Sequence, residues 1–285
     1  MPVGGDPQGT PLKIAGVASV ARLSPDMYSV SRAAGTPMAP FEFSYRDKKL
    51  GDAEAITVAT APDVFHPTST TVLLLRAARG ALARPCQSVL DLGCGSGVVA
   101  IVLARLLPPS TSVCASDLSP EAVRLTRANA ERNGVRVDCR CGSSLDPWVG
   151  QGFDLIVDDV SGVAEPLDRL SGWYPPGVPS DAGRDGARWV LEILNRAPDH
   201  LSPGGQLVFP VLTLSREDRI LDRARARFAA VTQVEEQWYP FSETLAAHFS
   251  LIEELAREGN IRVEKRGSRW CWATKIYLAE RPLPA

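Results

Sequence analysis

Long apolar runs, basic tracts and metal-ligand spacings are all missing from this chain of 285 residues. Its 31 lysines and arginines almost balance 33 acids, for a formal net charge of −2 at pH 7. No electrostatic grip on nucleic acid is therefore indicated. No apolar stretch reaches the length of a membrane span, so no membrane partner is expected. The start, Met1-Pro2-Val3-Gly4-Gly5-Asp6, lacks the basic-then-apolar form of a secretion signal, which makes the cytoplasm the expected compartment. Histidine is scarce, and His66, His200 and His248 share no ligand-like spacing. The six cysteines, at 86, 94, 114, 139, 141 and 271, include no Cys-x-x-Cys pair. No metal site is expected, and buried free thiols are the expected state of the cysteines.

What is present centres on Val89–Ala104. An apolar run is followed by glycines at 93, 95 and 97, then by apolar residues at helical spacing. This reads as a buried strand, a tight turn and a helix N-terminus. Glycines there let the turn reach positive φ and let a ligand approach the backbone. The free N–H groups of the helix start suit polar or anionic groups. Asp117 follows Gly97 by 20 residues, after the apolar run Val113-Cys114-Ala115, with Leu118 beside it. An acid so placed, at the end of the next parallel strand, accepts hydrogen bonds from ribose hydroxyls. The combination predicts a nucleoside-binding, Rossmann-like α/β unit. A nicotinamide dinucleotide fingerprint would more often read Gly-x-Gly-x-x-Gly.

The rest of the chain supplies punctuation for such a fold. Residues 1–40 are rich in Gly, Pro, Ala and Ser, with one candidate helix around 24–34. Phe41–Arg46 alternates like a strand, and with 55–59 it predicts a small β-hairpin around a turn at 48–52. The domain reading is an N-terminal segment, 1–62, and a catalytic domain, 63–285. Pro67 and the hydroxyl residues after it start a helix, and Ser119 with Pro120 starts another that ends near Asn133-Gly134. Strands are expected at 135–141 and 153–158, a helix at 189–199, and a strand at 206–212 after the turn Leu201–Gly205. Ser215 is expected to cap a helix over 216–228, with strand six following. One helix is expected over 242–257, then a closing hairpin of 262–266 with 270–279. Residues 163–189 form a connection long enough to be a lid.

Asp91-Leu92-Gly93-Cys94-Gly95-Ser96-Gly97 resembles motif I of class I S-adenosylmethionine (SAM)-dependent methyltransferases. Phe65-His66-Pro67-Thr68-Ser69-Thr70-Thr71, Asp117-Leu118-Ser119-Pro120-Glu121-Ala122 and Gly183-Arg184-Asp185-Gly186 are similar to stretches of the release-factor glutamine methyltransferase group. The resemblance implies a seven-stranded methyltransferase sheet with a small N-terminal subdomain, its last strand inserted antiparallel, and SAM as cofactor. By the same resemblance, Asp91, Gly93, Cys94, Gly95 and Gly97 hold the methionine part, and Ser144 with Leu145 takes adenine. Phe65, Thr70 and Thr71 cover the pocket. The family usually has an acid where Ser144 stands. It carries Asn-Pro-Pro-Tyr where this chain reads Asp159-Val160-Ser161-Gly162. The clamp for a planar NH2 group is thus absent, and a carboxylate replaces the asparagine.

That departure turns the expectation from an amide or nucleobase towards an amine. Asp159 is the candidate to orient or deprotonate it, with Ser161 and Tyr174 beside it. Asp158 is read either as a cap of the next element or as a cofactor contact. Trp173 and Tyr174 are candidates to face the sulfonium with their rings, or else to pack the lid. Three functions stay open at this point. The first is methyl transfer to a small-molecule or side-chain nitrogen. The second is cyclisation of SAM itself to azetidine-2-carboxylate and methylthioadenosine. The third is a SAM-binding module without chemistry.

Overall fold

The computed structural model describes residues 41–46, 55–82 and 84–284. The expected helix near 24–34 and the turn at 48–52 lie outside the described residues. A two-stranded antiparallel hairpin comes first, β1 (Glu42–Arg46) with β2 (Ala55–Ala59). Its alternation is strict: Phe43 and Tyr45 on β1 and Ile56 and Val58 on β2 are buried, while Glu42, Ser44 and Arg46 are exposed.

The main sheet contains β3 (Ser88–Leu92), β4 (Ser112–Asp117), β5 (Asp138–Cys141), β6 (Phe153–Asp158), β7 (Leu201–Leu212), β8 (Phe228–Pro240), β9 (Glu264–Arg266) and β10 (Arg269–Pro282). The order is β5-β4-β3-β6-β7-β10-β8, with β9 folded back on β10. Strands β3 to β7 pair in parallel, whereas β10 runs antiparallel between β7 and β8. The seven-stranded path with an inserted antiparallel strand is therefore present, and β9 is the closing hairpin.

Helices α1 (Ser69–Ala81), α2 (Val98–Leu106), α3 (Pro120–Arg132), α4 (Glu165–Ser171), α5 (Arg188–Arg196), α6 (Glu217–Arg227), α7 (Glu243–Ala246) and α8 (Phe249–Arg257) complete the fold. Successive strand residues feed opposite faces. Val89, Val157 and Val208 join the hairpin, α1 and α2 in one apolar cluster. Their neighbours Leu90, Ile156 and Leu207 join α5 and α6 in another. Strands buried on both faces read as continuous apolar runs, which is what the sequence showed. Burying each large side chain contributes on the order of 1.5–3 kcal/mol.

Three local expectations are corrected. Ser215 does not cap α6; its hydroxyl donates to the Leu212 carbonyl at 2.7 Å, and Arg216 occupies the cap position. The helix expected over 242–257 is two helices, α7 and α8, broken at Ala247–His248. Ser242 caps only the first, accepting from the Leu245 N–H. The stretch Leu201–Gly205, expected as a turn, is part of β7. Thr68 and Ser119 cap α1 and α3 as expected, the first in a reciprocal box with Thr71.

Candidate active site

The site forms where β3, β4 and β6 end, around the turn from β3 into α2. Gly93, Gly95 and Gly97 have φ of +74°, +52° and +82°, a region where only glycine is unstrained. The turn hangs from β4, since the Gly93 and Cys94 N–H groups both donate to the Ser116 carbonyl, at 2.9 and 3.1 Å. Helix α3 pins it from the side: the Thr126 hydroxyl donates to the Gly95 carbonyl and Asn129 donates to the Ser96 carbonyl. Asn129 also exchanges hydrogen bonds with the Ala59 backbone, so one amide joins hairpin and turn.

Four aspartates surround this turn. Asp91 is fully buried in β3, and its Oδ2 accepts the Ala100 N–H at 3.0 Å. That N–H belongs to the first turn of α2, whose cap residue Gly97 has no side chain to satisfy it. The other oxygen of Asp91 is buried without a hydrogen-bond partner among the described residues. Burial, followed by the Asp159 charge, raises the Asp91 carboxyl well above the usual range. Asp117 accepts the Gly95 N–H on Oδ2 and the Ser119 N–H on Oδ1, both at 2.9 Å. Burial raises its pKa while those N–H groups oppose the rise.

At the end of β6, Asp158 accepts the Val160 N–H at 3.0 Å and has its second oxygen buried and unpartnered among the described residues. Asp159 accepts the Thr71 hydroxyl at 2.8 Å. Burial pushes both carboxyls up to about 7. Buried like charges raise one another's pKa, and a cation among them reverses that cost.

A cleft lined by Phe65, Pro67, Thr71, Asp91, Gly93, Cys94, Gly95, Ser96, Val98, Val99 and Asp159 opens between these groups. The structure thus gathers seven of the expected residues: Phe65, Thr71, Asp91, Gly93, Cys94, Gly95 and Asp159. It leaves others out. Thr70 faces the sheet, 3.2 Å from the Thr274 hydroxyl, because one helical step turns it about 100° from Thr71. A Cβ on Gly97 would lie 2.7 Å from Thr126 Cγ2, so packing against α3, not ligand approach, demands glycine there. Gly95 borders the Phe65 carbonyl and Gly93 the Asp159 carbonyl in the same way.

The Leu145 side chain is buried in the cluster of Leu90 and Trp148, not presented to the cleft. Ser144 has φ of +50°, and its hydroxyl is buried without a partner among the described residues. Leu118 is 45% exposed directly after Asp117. Pro67, Ser96, Val98 and Val99 also line the cleft without having been expected as cofactor contacts: the first two lie within the two quoted motifs, the last two just after Gly97. Asn129 and Thr126 gave no signal, being 29 or more residues from the turn.

The segment after β6 lies against Phe65. Tyr174 stacks on that ring at 4.8 Å and 28°. Its hydroxyl is hydrogen-bonded to Ser161, and burial, with the Asp168 and Asp159 charges adding, raises its pKa. Trp173 points elsewhere and packs on Trp272 at 5.3 Å, so of the two rings only Tyr174 meets a residue of the cleft. Gly186, at φ +68°, folds the end of the segment back onto its start; a Cβ there would overlap the Ala164 nitrogen at 2.5 Å.

The residues fit a nucleoside sulfonium. Asp91 offers a buried carboxylate oxygen with no partner among the described residues, Asp117 holds the Gly95 N–H behind the cleft wall, and the walls carry acids and no base. Among the described residues, no group of three or more His, Cys, Asp or Glu side chains could hold a metal ion, and no helix is long and apolar enough to cross a membrane. All six cysteines are free.

Residues 65–172 match the family model described as ribosomal protein L11 methyltransferase (PrmA). The chain is 36% identical over 165 residues to the release factor glutamine methyltransferase of Geobacter sulfurreducens, covering 56% of this chain and 57% of that protein. It is 35% identical over 184 residues to the Bordetella pertussis protein of the same name, covering 62% and 64%. The chain therefore spans about three fifths of these relatives' length. Among solved structures it is similar to the T. thermophilus 16S rRNA N2 G1207 methyltransferase (RsmC) in complex with AdoMet and guanosine. There the TM-score is 0.52 and the identity 18%, over 86% of this chain and 51% of that one, a likeness of fold alone. The motif, the sheet and these matches agree in one likeness, to the class I SAM-dependent methyltransferases.

Proposed function

We propose that this chain transfers the methyl group of SAM to a nitrogen nucleophile, an amine on a small molecule or a side chain. The observation that carries the reading is Asp159. It lines the cleft beside the glycine turn, and burial brings its carboxyl to about 7. A carboxyl at that value passes between its two proton states at neutral pH, as a general base requires. An amine must shed its proton before it attacks carbon, and Asp159 is the acceptor for it. Bound SAM supplies a methyl group already activated by its sulfonium charge. What remains for the protein is alignment and exclusion of water. Asp91 and the backbone of Gly93–Gly95 hold the methionine part, with Cys94 on the same wall. Asp117 holds the ribose, and Leu118 and Ser144 border the adenine. Phe65 covers the cleft with Tyr174 stacked behind it, and Thr71 orients Asp159. Ser161 supports Tyr174.

The relatives are named for glutamine on release factors. An aspartate in place of their asparagine, without prolines after it, favours a cationic donor over a neutral amide here. A second reading has one observation behind it: Asp159 shares its cleft with Asp91, so SAM's own amine lies in reach of it. One experiment separates the readings. The purified protein is incubated with SAM alone, with an amine panel, and with a release-factor glutamine peptide. S-adenosylhomocysteine formed only with an amine supports the proposal. Formation only with the peptide returns the substrate to that of the named relatives. Methylthioadenosine from SAM alone means that SAM is its own substrate, and no product at all leaves a binding module.

A further inference from the structure

The stack that closes the cleft is itself held, and by a residue that no motif marks. Asp168 lies on α4, buried to 8% exposure. Its Oδ2 accepts the Ser180 hydroxyl at 2.6 Å. The Ser180 carbonyl in turn accepts the Ser161 hydroxyl at 2.7 Å. The Ser161 hydroxyl also lies in hydrogen-bond reach of the Tyr174 phenol, whose pKa burial raises and that contact lowers. Tyr174 then stacks on Phe65, which lines the cleft. From α4 to the cleft the contacts run Asp168, Ser180, Ser161, Tyr174, Phe65, without a break.

We infer that Asp168 is a positioning residue for the lid: through Ser180 and Ser161 it fixes Tyr174 over Phe65 and so sets how long SAM stays in the cleft. The inference rests on the SAM reading above. Its physical basis is that α4 is anchored independently of the cleft. Leu167, beside Asp168, packs fully buried with Leu212, Leu214 and Leu245. Asp168 therefore ties the lid to a fixed element, whereas at the lid's outer turn the Val178 N–H donates to the Pro175 carbonyl within the turn itself. Buried charge-assisted bonds such as the one from Ser180 are the stronger kind. Burial raises the Asp168 carboxyl while the Ser180 hydroxyl opposes that rise, as expected for a group placed for this contact.

The test uses the whole protein and SAM as the probe. Asp168→Ala, Asp168→Asn, Ser180→Ala and the Asp168→Ala/Ser180→Ala pair are compared for SAM dissociation rate by stopped flow. Backbone amide exchange is followed in parallel across residues 160–190. Asp168→Ala should speed dissociation about tenfold, the effect of losing one buried charge-assisted bond, with association within twofold. Exchange should rise in 172–181 and stay unchanged in β3 and α2. Asn keeps an acceptor oxygen without the charge and should restore both readouts in part. The double variant should match Asp168→Ala, since the two residues share one bond. Unchanged dissociation and exchange in Asp168→Ala overturn the inference, as does faster exchange spread evenly over the fold, which marks a merely structural residue. Should Asp168→Ala not fold, Ser180→Ala carries the same two readouts. If the unaltered protein fails to bind SAM, the SAM reading falls, while the amide-exchange pattern still reports on the relay.

Discussion

Two halves of one cleft are built from the same residue type, an aspartate ending a parallel strand, and they hold it differently. On the glycine side, Asp91 and Asp117 accept three main-chain N–H groups from the turn and the helix starts beside it. Acid and loop fix each other there. On the β6 side, Asp159 accepts one hydroxyl from another element, and Asp158 one N–H from two residues on. Burial is the leading influence on the acids of both halves; on this side, with fewer partners, both stand near 7. The first half cannot change without losing its backbone; the second can exchange substrates by exchanging side chains. That contrast explains why a glycine motif can persist beside an altered clamp.

The largest expected effect falls on the glycine half. Gly97→Ala puts a Cβ 2.7 Å from Thr126 at φ +82°, and should cost about 3–5 kcal/mol from left-handed strain and overpacking together. Urea unfolding of the full chain measures it. Gly134→Ala is the matched control, with φ +65° and nothing within 4 Å, and should cost only about 1–2 kcal/mol. Equal costs would mean that α3 yields and the turn is not rigid.

Asp117→Ala should come next. Two main-chain N–H groups lose their acceptor and a ribose loses its partner, so SAM affinity should fall about a hundredfold by calorimetry. Retention of affinity to within threefold would remove the ribose assignment. Replacing an acid on the β6 half should do less to affinity and more to its pH dependence.

Much of the glycine half was legible because its chemistry is local. The turn, the caps Thr68 and Ser119, and the spacing to Asp117 lie within short windows, where glycine, proline and hydroxyl residues act on their own backbone. Where partners are remote, legibility ended. Thr126 decides the size limit at Gly97, yet nothing in the sequence links them. Thr70 and Thr71 are both hydroxyl residues at a helix start, and only the packed orientation of α1 tells which faces Asp159. Trp173 and Tyr174 were equivalent until the fold sent one to Trp272 and the other to Phe65. Asp168 reads as an ordinary acid in the first turn of a short helix. The break between α7 and α8 was missed because apolar spacing continues through it, with Leu245 and Ile252 both buried.

Asp159→Asn sharpens the contrast through pH. The folded carboxyl stands at about 7, above its ordinary 3.8, so the unfolded chain releases its proton first as pH rises. The group's contribution to stability is therefore full below about 4 and is lost as pH climbs towards 7. A cationic ligand prefers the ionised acid, so SAM binding should tighten between pH 6 and 8 and release protons, as calorimetry in buffers of different ionisation enthalpy would read. The rise should approach tenfold over that span in the unaltered chain and fall to about twofold in Asp159→Asn, where Asp158 remains. A flat profile in the unaltered chain would mean that the acids of the β6 half do not face the cofactor's charge.

The smallest effect should come from the lid's outer anchor. Arg184 reaches Glu258 at 2.8 Å and Glu254 at 3.3 Å, with the side chains 57%, 38% and 53% exposed. Water and salt screen such pairs, and holding three long side chains in one geometry costs rotamer freedom. Arg184→Ala should move the thermal midpoint by about one degree or less, and 0.5 M salt should erase even that. Asp168, buried on the inner side of the same segment, would govern SAM release through its single contact with Ser180. If Arg184→Ala instead lowered the midpoint by about four degrees or sped SAM dissociation as much as Asp168→Ala, the lid would be clamped from its solvent side. The inner relay would then be a consequence of closure, not its cause.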